Sequence, residues 1–347
     1  MIDLISDTIT KPSDGMRAAL AAAEVGDDQL GEDPTMRVFQ ERLAGLLGKE
    51  AALWLPTGTM ANQVALRTLT RPGDDVVVSR ESHAVWHETG AAAANSGVQF
   101  TEVGARGVFT EAEFQAARKP RGHLIYPPTT LVEIENTHNR AGGIVFPRDA
   151  AQRICEAARR AGVSSYLDGA RLWNAAVAEG CSVADLARPF DVVSVAFSKG
   201  LGAPAGSALA GTCEFVQAAT RYRRMSGGAM RQVGHFAAAA LYALDHNYER
   251  LAEDHANARR LAERVARSRR VVLDLREVRT NILVFRLAEG GPDAQAVVEE
   301  ARRRGVRLYA FGPRTVRAVT HLDVSREECE KAGDILLEVI ESAAPNP

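Results

Sequence analysis

The chain has 347 residues, a formal net charge of −2 at pH 7 and a hydrophobic fraction of 46%. A chain of this length can bury more than one core, and its balanced charge without a basic tract argues against a nucleic-acid partner. No window approaches the roughly 18 apolar residues of a membrane span. The N-terminus lacks a signal-peptide pattern and the four cysteines are scattered without a CxxC pair, so we expect a cytoplasmic protein without structural zinc.

The first part of the chain predicts alternating strands and helices. A helix is predicted at 35–47, behind an acidic, glycine-rich segment. Apolar and β-branched runs then predict strands at 51–55, 75–79, 98–103, 123–134, 163–167, 191–197 and 205–210. Helical periodicity predicts intervening helices such as 60–69, 148–161 and 214–224. This alternation is typical of an α/β fold, with a mostly parallel sheet covered by helices on both faces.

The pattern changes after residue 248. A long helical segment runs to about residue 267, and strands follow near 280–287, 306–310 and 317–321, with helices at 293–304 and 326–341. This order predicts a smaller α+β domain. We therefore expect an N-terminal segment (1–48, an interface arm and a helix), a large α/β domain (49–247) and a small C-terminal domain (248–347).

Two segments that follow predicted strands suit an anionic and a cationic group. Binding sites in parallel α/β sheets lie at the carboxyl ends of the strands. Gly58 and Thr59 open a helix, where free N–H groups and the positive dipole end favour a phosphate, although such residues are also ordinary helix caps. Asp168 ends a strand and precedes Arg171. Its carboxylate either holds a protonated ring nitrogen or caps the next helix with Arg171 paired to it.

Two further strand ends carry a lysine and a histidine. Lys199 follows the strand at 191–197, after Ser198 and before a glycine, which favours a reactive amine that forms a Schiff base over a solvated surface charge. His83 can stack on an aromatic ring or move a proton. His83, His87 and Glu88 also raise a metal interpretation, which we reject because the order His-Glu-x-x-His is missing. The four strand ends together supply what a pyridoxal-phosphate site needs.

A series of short motifs places the chain beside a known family. They lie at residues 3–10, 25–28, 56–62, 135–139, 167–171, 198–202, 226–232 and 319–324. On these motifs the chain resembles the L-threonine aldolases, of the low-specificity and L-allo types, within the fold-type-I, aspartate-aminotransferase-like enzymes that use pyridoxal 5'-phosphate. The resemblance runs nearly from end to end. It implies a homotetramer built from two dimers, with active sites shared across the dimer interface.

The resemblance also implies roles for individual residues. Lys199 would carry the cofactor, Asp168 would pair with its ring nitrogen and His83 would stack on the ring. The residues expected to contact the cofactor are Gly58, Thr59, His83, Asp168, Ser198, Lys199 and, from a neighbouring subunit, Arg231. Those expected to hold the substrate carboxylate are Ser6, Arg171 and Arg317. His83, or a water that it positions, is the candidate base for the substrate hydroxyl.

One position departs from the family pattern. Many members carry a histidine that helps to hold the substrate hydroxyl, where this chain has Ile125. His123 lies two residues earlier, and we do not expect it to substitute. The departure leaves open the preference between threo and allo substrates, and it admits a larger or more apolar β-substituent.

These observations predict a lyase that cleaves L-threonine, L-allo-threonine or a related β-hydroxy-α-amino acid to glycine and an aldehyde. The same scaffold and cofactor also support β-elimination, racemisation or transamination, because a fold does not determine a function. A non-catalytic binding protein on this scaffold is the third hypothesis. It predicts that Lys199 stays unmodified when the cofactor is supplied.

Overall fold

The computed structural model describes residues 1–343. The strands, numbered in chain order, are β1 (Ile2–Asp3), β2 (Ala51–Leu55), β3 (Asp75–Ser79), β4 (Gln99–Val103), β5 (Thr129–Glu135), β6 (Ser164–Gly169), β7 (Val192–Ala196), β8 (Ser207–Gly211), β9 (Val271–Val272), β10 (Ile282–Leu287), β11 (Val306–Arg307), β12 (Tyr309–Gly312) and β13 (Thr315–Val319).

The α-helices, numbered in the same way, are α1 (Asp14–Ala22), α2 (Pro34–Leu47), α3 (Gly58–Leu69), α4 (His83–Trp86), α5 (Glu111–Ala117), α6 (Arg148–Arg160), α7 (Leu172–Glu179), α8 (Val183–Ala187), α9 (Cys213–Met225), α10 (Gly234–His246), α11 (Leu251–Val265), α12 (Ala294–Arg303) and α13 (Arg326–Ser342). Among the described residues, no helix is long and apolar enough to cross a bilayer.

A seven-stranded sheet with the order β2-β8-β7-β6-β5-β3-β4 forms the centre of the molecule. β8 runs antiparallel to β2 and β7, and the other neighbouring pairs are parallel. Successive side chains point to opposite faces of a strand, so Val76 and Val78 join one buried cluster and Val77 joins the other. Helices therefore cover both faces, and the predicted mostly parallel α/β fold is confirmed.

The C-terminal part has its own sheet, with the order β12-β13-β10-β9 and antiparallel pairing throughout. Its apolar residues form a separate cluster against α11, α12 and α13. Ile2 and Leu4 belong to this cluster, and β1 pairs with β11, whereas Phe39 of α2 packs in the main core. The start of the chain thus contacts both parts. The division at residues 48 and 247 stays a prediction.

One predicted strand is wrong over half of its length. The strand expected at 123–134 begins only at Thr129, because Pro127 and Pro128 lack the N–H groups that a ladder requires. The apolar side chains before them lie in a loop, where Leu124 is 98% and Ile125 78% exposed. The strand expected at 306–310 is also divided, into β11 and β12.

A buried ion pair joins three parts of the chain. Arg171, just before α7, donates from Nε and Nη2 to the two oxygens of Asp7, at 2.8 and 2.6 Å. Asn281, just before β10, donates to the same carboxylate at 3.1 Å. Burial by itself raises the pKa of Asp7, but the Arg171 guanidinium outweighs it and holds the pKa well below its usual range. The stabilisation is therefore present at neutral pH and is lost only in strong acid.

We expect Asp7→Asn to lower the free energy of unfolding by about 3–5 kcal/mol, because it leaves a buried arginine without its counter-charge. The control is Asp245→Asn, which breaks the exposed pair with Arg42 and should cost less than about 1 kcal/mol. Urea unfolding followed by circular dichroism measures both. Equal stability of the two variants would contradict the structural role of the Asp7 pair.

Candidate active site

Two cavities lie side by side at the carboxyl ends of β2, β3, β6 and β7. The first has a volume of about 370 Å³ and is lined by the predicted cofactor residues Gly58, Thr59, His83, Asp168, Ser198 and Lys199. The second, of about 250 Å³, is lined by the predicted substrate residues Ser6, Arg171 and Arg317. His83 and Lys199 border both cavities. A molecule that spans the two would therefore pass the lysine amine and the imidazole.

The first turn of α3 forms one end of the first cavity. The Thr57 side chain caps the helix by accepting from the Met60 N–H. Gly58 borders the cavity, and a Cβ added there would meet nothing within 4 Å, so a side chain would extend into cavity space. With the hydroxyls of Thr59 and Ser198 close by, this end has the donors and the open volume that a phosphate requires.

Asp168 lies buried at the end of β6. Its carboxylate accepts from the Ala170 N–H at 3.1 Å and from the Asn62 amide at 2.9 Å. The Asn62 oxygen accepts in turn from the Tyr166 hydroxyl at 2.5 Å. Asn62 therefore orients the carboxylate, which can act as an acceptor for a protonated ring nitrogen in the cavity.

Lys199 follows β7 in a tightly packed turn. Its carbonyl accepts from the Thr10 hydroxyl and the Gly202 N–H, and a Cβ on Gly200 would meet Leu251 at 2.8 Å. Burial first, and then the Arg171 charge, lower the pKa of the Lys199 amine to about 8. More of this amine than of an ordinary lysine is thus unprotonated near neutral pH and available as a nucleophile.

His83 opens α4 at the boundary between the cavities. Its backbone N–H donates to Glu135 at 2.8 Å, and its Nδ1 lies 3.0 Å from a carboxylate oxygen of Glu88. Burial alone lowers the pKa of the imidazole, but the hydrogen bond to Glu88 and the charge of Asp168 outweigh it, so the pKa lies above the ordinary value.

The two arginines that line the second cavity differ in their hydrogen-bond partners. Arg171 is bound to Asp7 through Nε and Nη2, so the fork that was expected to clamp a carboxylate is occupied, and only its Nη1 edge remains. Arg317 donates to Asn139 and to the Ile5 carbonyl, while its buried Nε has no partner among residues 1–343. Burial and the nearby Arg171 lower the pKa of Arg317 to about 10.

An aromatic wall from the small sheet lines the second cavity. Tyr309 and Phe311 of β12 lie on the cavity wall. The pairing of β12 with β13 shifts its register between Ala310 and Gly312. The Arg317 guanidinium lies 4.8 Å from the Phe311 ring centre and 5.6 Å from that of Tyr309. His87 stacks on Phe311 at 6.2 Å. The wall orients Arg317 through cation–π contacts and presents an apolar surface to a ligand.

Two residues considered from the sequence lie away from the cavities. Arg231 pairs with Asp27 on the surface at 2.7 Å and is not among the residues lining either cavity. His123 stacks on Tyr126 in the exposed loop before β5. Within the part of the chain that the structure describes, no group of three or more His, Cys, Asp or Glu side chains is arranged to hold a metal ion.

Several residues that shape the site have no role that the sequence predicts. Asn62 and Asp7 lie inside motifs whose other residues carry the predicted roles, and Glu88 belongs only to the rejected metal pattern. Tyr309 and Phe311 lie in a strand of the small sheet. His83 opens α4 and Glu88 follows its end, and this spacing of five residues is a local signal.

Comparison with known proteins agrees with this geometry. The sequence profile described as "Beta-eliminating lyase" matches residues 3–288. The chain belongs to the beta-eliminating lyase family. The low-specificity L-threonine aldolase of Escherichia coli K12 is 42% identical over 329 residues, which is 94% of this chain and 96% of that protein. The resemblance inferred from the motifs is therefore confirmed.

Solved structures show how widely the fold of this lyase family member is shared. Threonine aldolase from Leishmania major superposes with a TM-score of 0.82 at 20% identity, covering 98% of this chain and 100% of that one. A double mutant of aspartate aminotransferase from Thermus thermophilus superposes with a TM-score of 0.76 at 15% identity, covering 98% and 91%. The aspartate-aminotransferase-like fold is thus confirmed.

We expect the Lys199 amine to react before ordinary lysines as the pH rises, because its pKa is lowered to about 8. Reductive methylation of the full-length, cofactor-free protein between pH 7 and 10, followed by peptide mass spectrometry, measures the modified fraction at each lysine. The exposed Lys331 serves as the internal control. If the methylation rates of Lys199 and Lys331 rise over the same pH range, the lowered pKa is wrong.

Proposed function

We propose that the protein is a pyridoxal 5'-phosphate-dependent aldehyde-lyase, an L-threonine aldolase that cleaves L-threonine, L-allo-threonine or a related β-hydroxy-α-amino acid to glycine and an aldehyde. The observation that carries the proposal is the position of Lys199 between two cavities, one suited to the cofactor and the other to an amino-acid carboxylate. The name of the Escherichia coli relative supports the choice of substrate.

The residues of the first cavity fit the cofactor. The open space at Gly58, together with Thr59 and Ser198, would receive the phosphate, and Asp168 would accept from the ring nitrogen. His83 would lie against the ring, and Lys199 would hold the cofactor covalently. When bound, pyridoxal phosphate supplies an electron sink for the charge left at Cα as the Cα–Cβ bond breaks.

The second cavity would bind and orient the amino acid. Arg317, Arg171 and Ser6 all border this space. A carboxylate held by a guanidinium is fixed in direction as well as position. The β-substituent would then lie among His83, His87 and Phe311. His83 is the proposed acceptor of the β-hydroxyl proton, since it borders both cavities.

We also propose that the protein acts as a cytoplasmic homotetramer, a dimer of dimers. Leu30 is 69% and Met225 61% exposed, and residues 27–29 are hydrogen-bonded to residues 229–231 near them. Exposed apolar side chains of this kind are typical of surfaces that another subunit covers. Arg231, which lies on this surface, would reach the phosphate of a neighbouring subunit. Light scattering tests the tetramer.

We expect Lys199→Ala to abolish the visible absorbance of covalently held cofactor and to lower aldehyde production by at least about 10³-fold, since the nucleophilic amine is removed. Spectra of the protein after addition of pyridoxal phosphate, and a coupled aldehyde assay with L-threonine, measure the two effects. Lys331→Ala is the matched control. Full activity of Lys199→Ala would refute the assignment.

The match to a beta-eliminating lyase profile makes β-elimination the second candidate function. The two reactions differ in their products, because the aldolase releases acetaldehyde and glycine from L-threonine, whereas elimination releases ammonia and a keto acid. Assaying all four products separates the candidates. Ammonia and keto acid without acetaldehyde would contradict the aldolase.

We expect Arg317→Lys to raise the KM for L-threonine roughly 10- to 100-fold, the equivalent of losing one charged hydrogen bond. A lysine cannot reproduce the planar fork of a guanidinium or its stacking on Phe311. The control is Arg286→Lys, an exposed position in β10 of the same sheet. Steady-state kinetics measure both variants, and an unchanged KM in Arg317→Lys would exclude this residue from the carboxylate site.

A further inference from the structure

Glu88 is a buried carboxylate that three side chains hold in place. One oxygen accepts from the Asn62 amide at 2.7 Å and lies 3.0 Å from His83 Nδ1. The other accepts from the Gln63 amide at 2.6 Å. The side chain is fully enclosed. A buried carboxylate that accepts from this many donors is satisfied in its charged form.

The backbone next to Glu88 supports a special role for this position. Thr89 has a φ of +57° and Gly90 a φ of +73°. A β-branched residue rarely adopts a positive φ, and such conformations cluster at functional sites, where the surrounding structure holds them. The chain thus accepts an unfavourable backbone conformation immediately after the residue that contacts His83.

The contact decides how His83 faces the cavities. With Nδ1 at Glu88, the Nδ1–H tautomer leaves Nε2 as the proton acceptor of a ring that borders both cavities. The charged groups around the imidazole are Glu88, Asp168 and Glu135 on the acidic side, and Lys199 and His87 on the basic side. Only Glu88 has a hydrogen bond to the ring among the described residues.

We propose that Glu88 is a positioning residue for the cleavage reaction: it holds His83 in the tautomer that presents Nε2 to the substrate and stabilises the imidazolium formed by proton transfer. The inference rests on the proposed function. The β-hydroxyl O–H bond breaks as Nε2–H forms, and its electron pair becomes the second C–O bond of the aldehyde. The Cα–Cβ pair remains at Cα, which later receives a proton. A carboxylate behind a histidine base has this effect in other enzymes.

Asn62 connects this pair to the other acid of the site. The same amide nitrogen donates to Glu88 and to Asp168, so it sets the spacing between the carboxylate behind His83 and the carboxylate expected to face the ring nitrogen. Asn62 thereby fixes both carboxylates relative to one helix, α3.

The test compares Glu88→Gln with Glu133→Gln in the full-length, cofactor-loaded protein. Glu133 is an equally buried carboxyl whose two oxygens have no hydrogen-bond partner within residues 1–343. Burial raises its pKa well above the usual value, so an amide replaces a neutral acid of the same shape. We expect wild-type kinetics for Glu133→Gln. For Glu88→Gln we expect kcat to fall roughly 10²-fold and the acidic limb of the kcat/KM profile to move to lower pH, because His83 loses the charge that retains its proton.

A second readout does not depend on activity. Neutral imidazole reacts with diethyl pyrocarbonate, so His83 should be modified faster in Glu88→Gln than in the wild type at pH 7, with the exposed His246 as internal reference. If Glu88→Gln does not fold, Glu88→Asp decides. Glu88→Asp keeps the negative charge but moves the carboxylate one methylene away from His83. We expect its pH profile to stay unchanged and its kcat to fall.

An unchanged pH profile together with an unchanged His83 modification rate in Glu88→Gln would overturn the proposal, as would wild-type kcat in Glu88→Asp. Failure of the proposed function gives a different result. The wild type would then release no aldehyde from L-threonine, L-allo-threonine or phenylserine, while the modification rate would still report the effect of Glu88 on His83.

Discussion

The buried pair of Asp7 and Arg171 is the constraint on which the site depends. Transferring two charges from water into the protein is costly, and only well-aligned hydrogen bonds return that cost. Here both oxygens of Asp7 are bound by one guanidinium, and Asn281 adds a third donor. These residues come from the N-terminal arm, the end of the central sheet and the small sheet. The second cavity lies where those three parts meet, so the pair holds its walls together.

The charges of the site have opposite effects on its two basic groups. Burial and the neighbouring Arg171 lower the pKa of Lys199 to about 8, whereas the hydrogen bond that His83 donates to Glu88 raises the pKa of His83 despite burial. Groups whose environments move their pKa values in opposite directions are suited to different tasks. The lysine is prepared to act as a nucleophile and the histidine to receive and retain a proton.

Local patterns predicted the central sheet well and its margins less well. The strands at 51–55 and 75–79 have the predicted bounds, because each is a short apolar run between clear turn signals. The run before Thr129 has a similar composition, but its two prolines exclude it from the ladder. The pairing of Arg171 with Asp7 was equally invisible, since 164 positions separate the two residues.

The sequence by itself determined the fold class, the family and the chemical groups at the strand ends, because periodicity and short motifs are local and parallel strands bring their carboxyl ends to one edge. The tertiary structure alone decided which of these groups are free to act. It occupies most of Arg171 with Asp7, sets Glu88 behind His83 and places Tyr309 and Phe311 beside Arg317. Such contacts depend on packing between distant segments, and packing leaves no periodic signal in the chain.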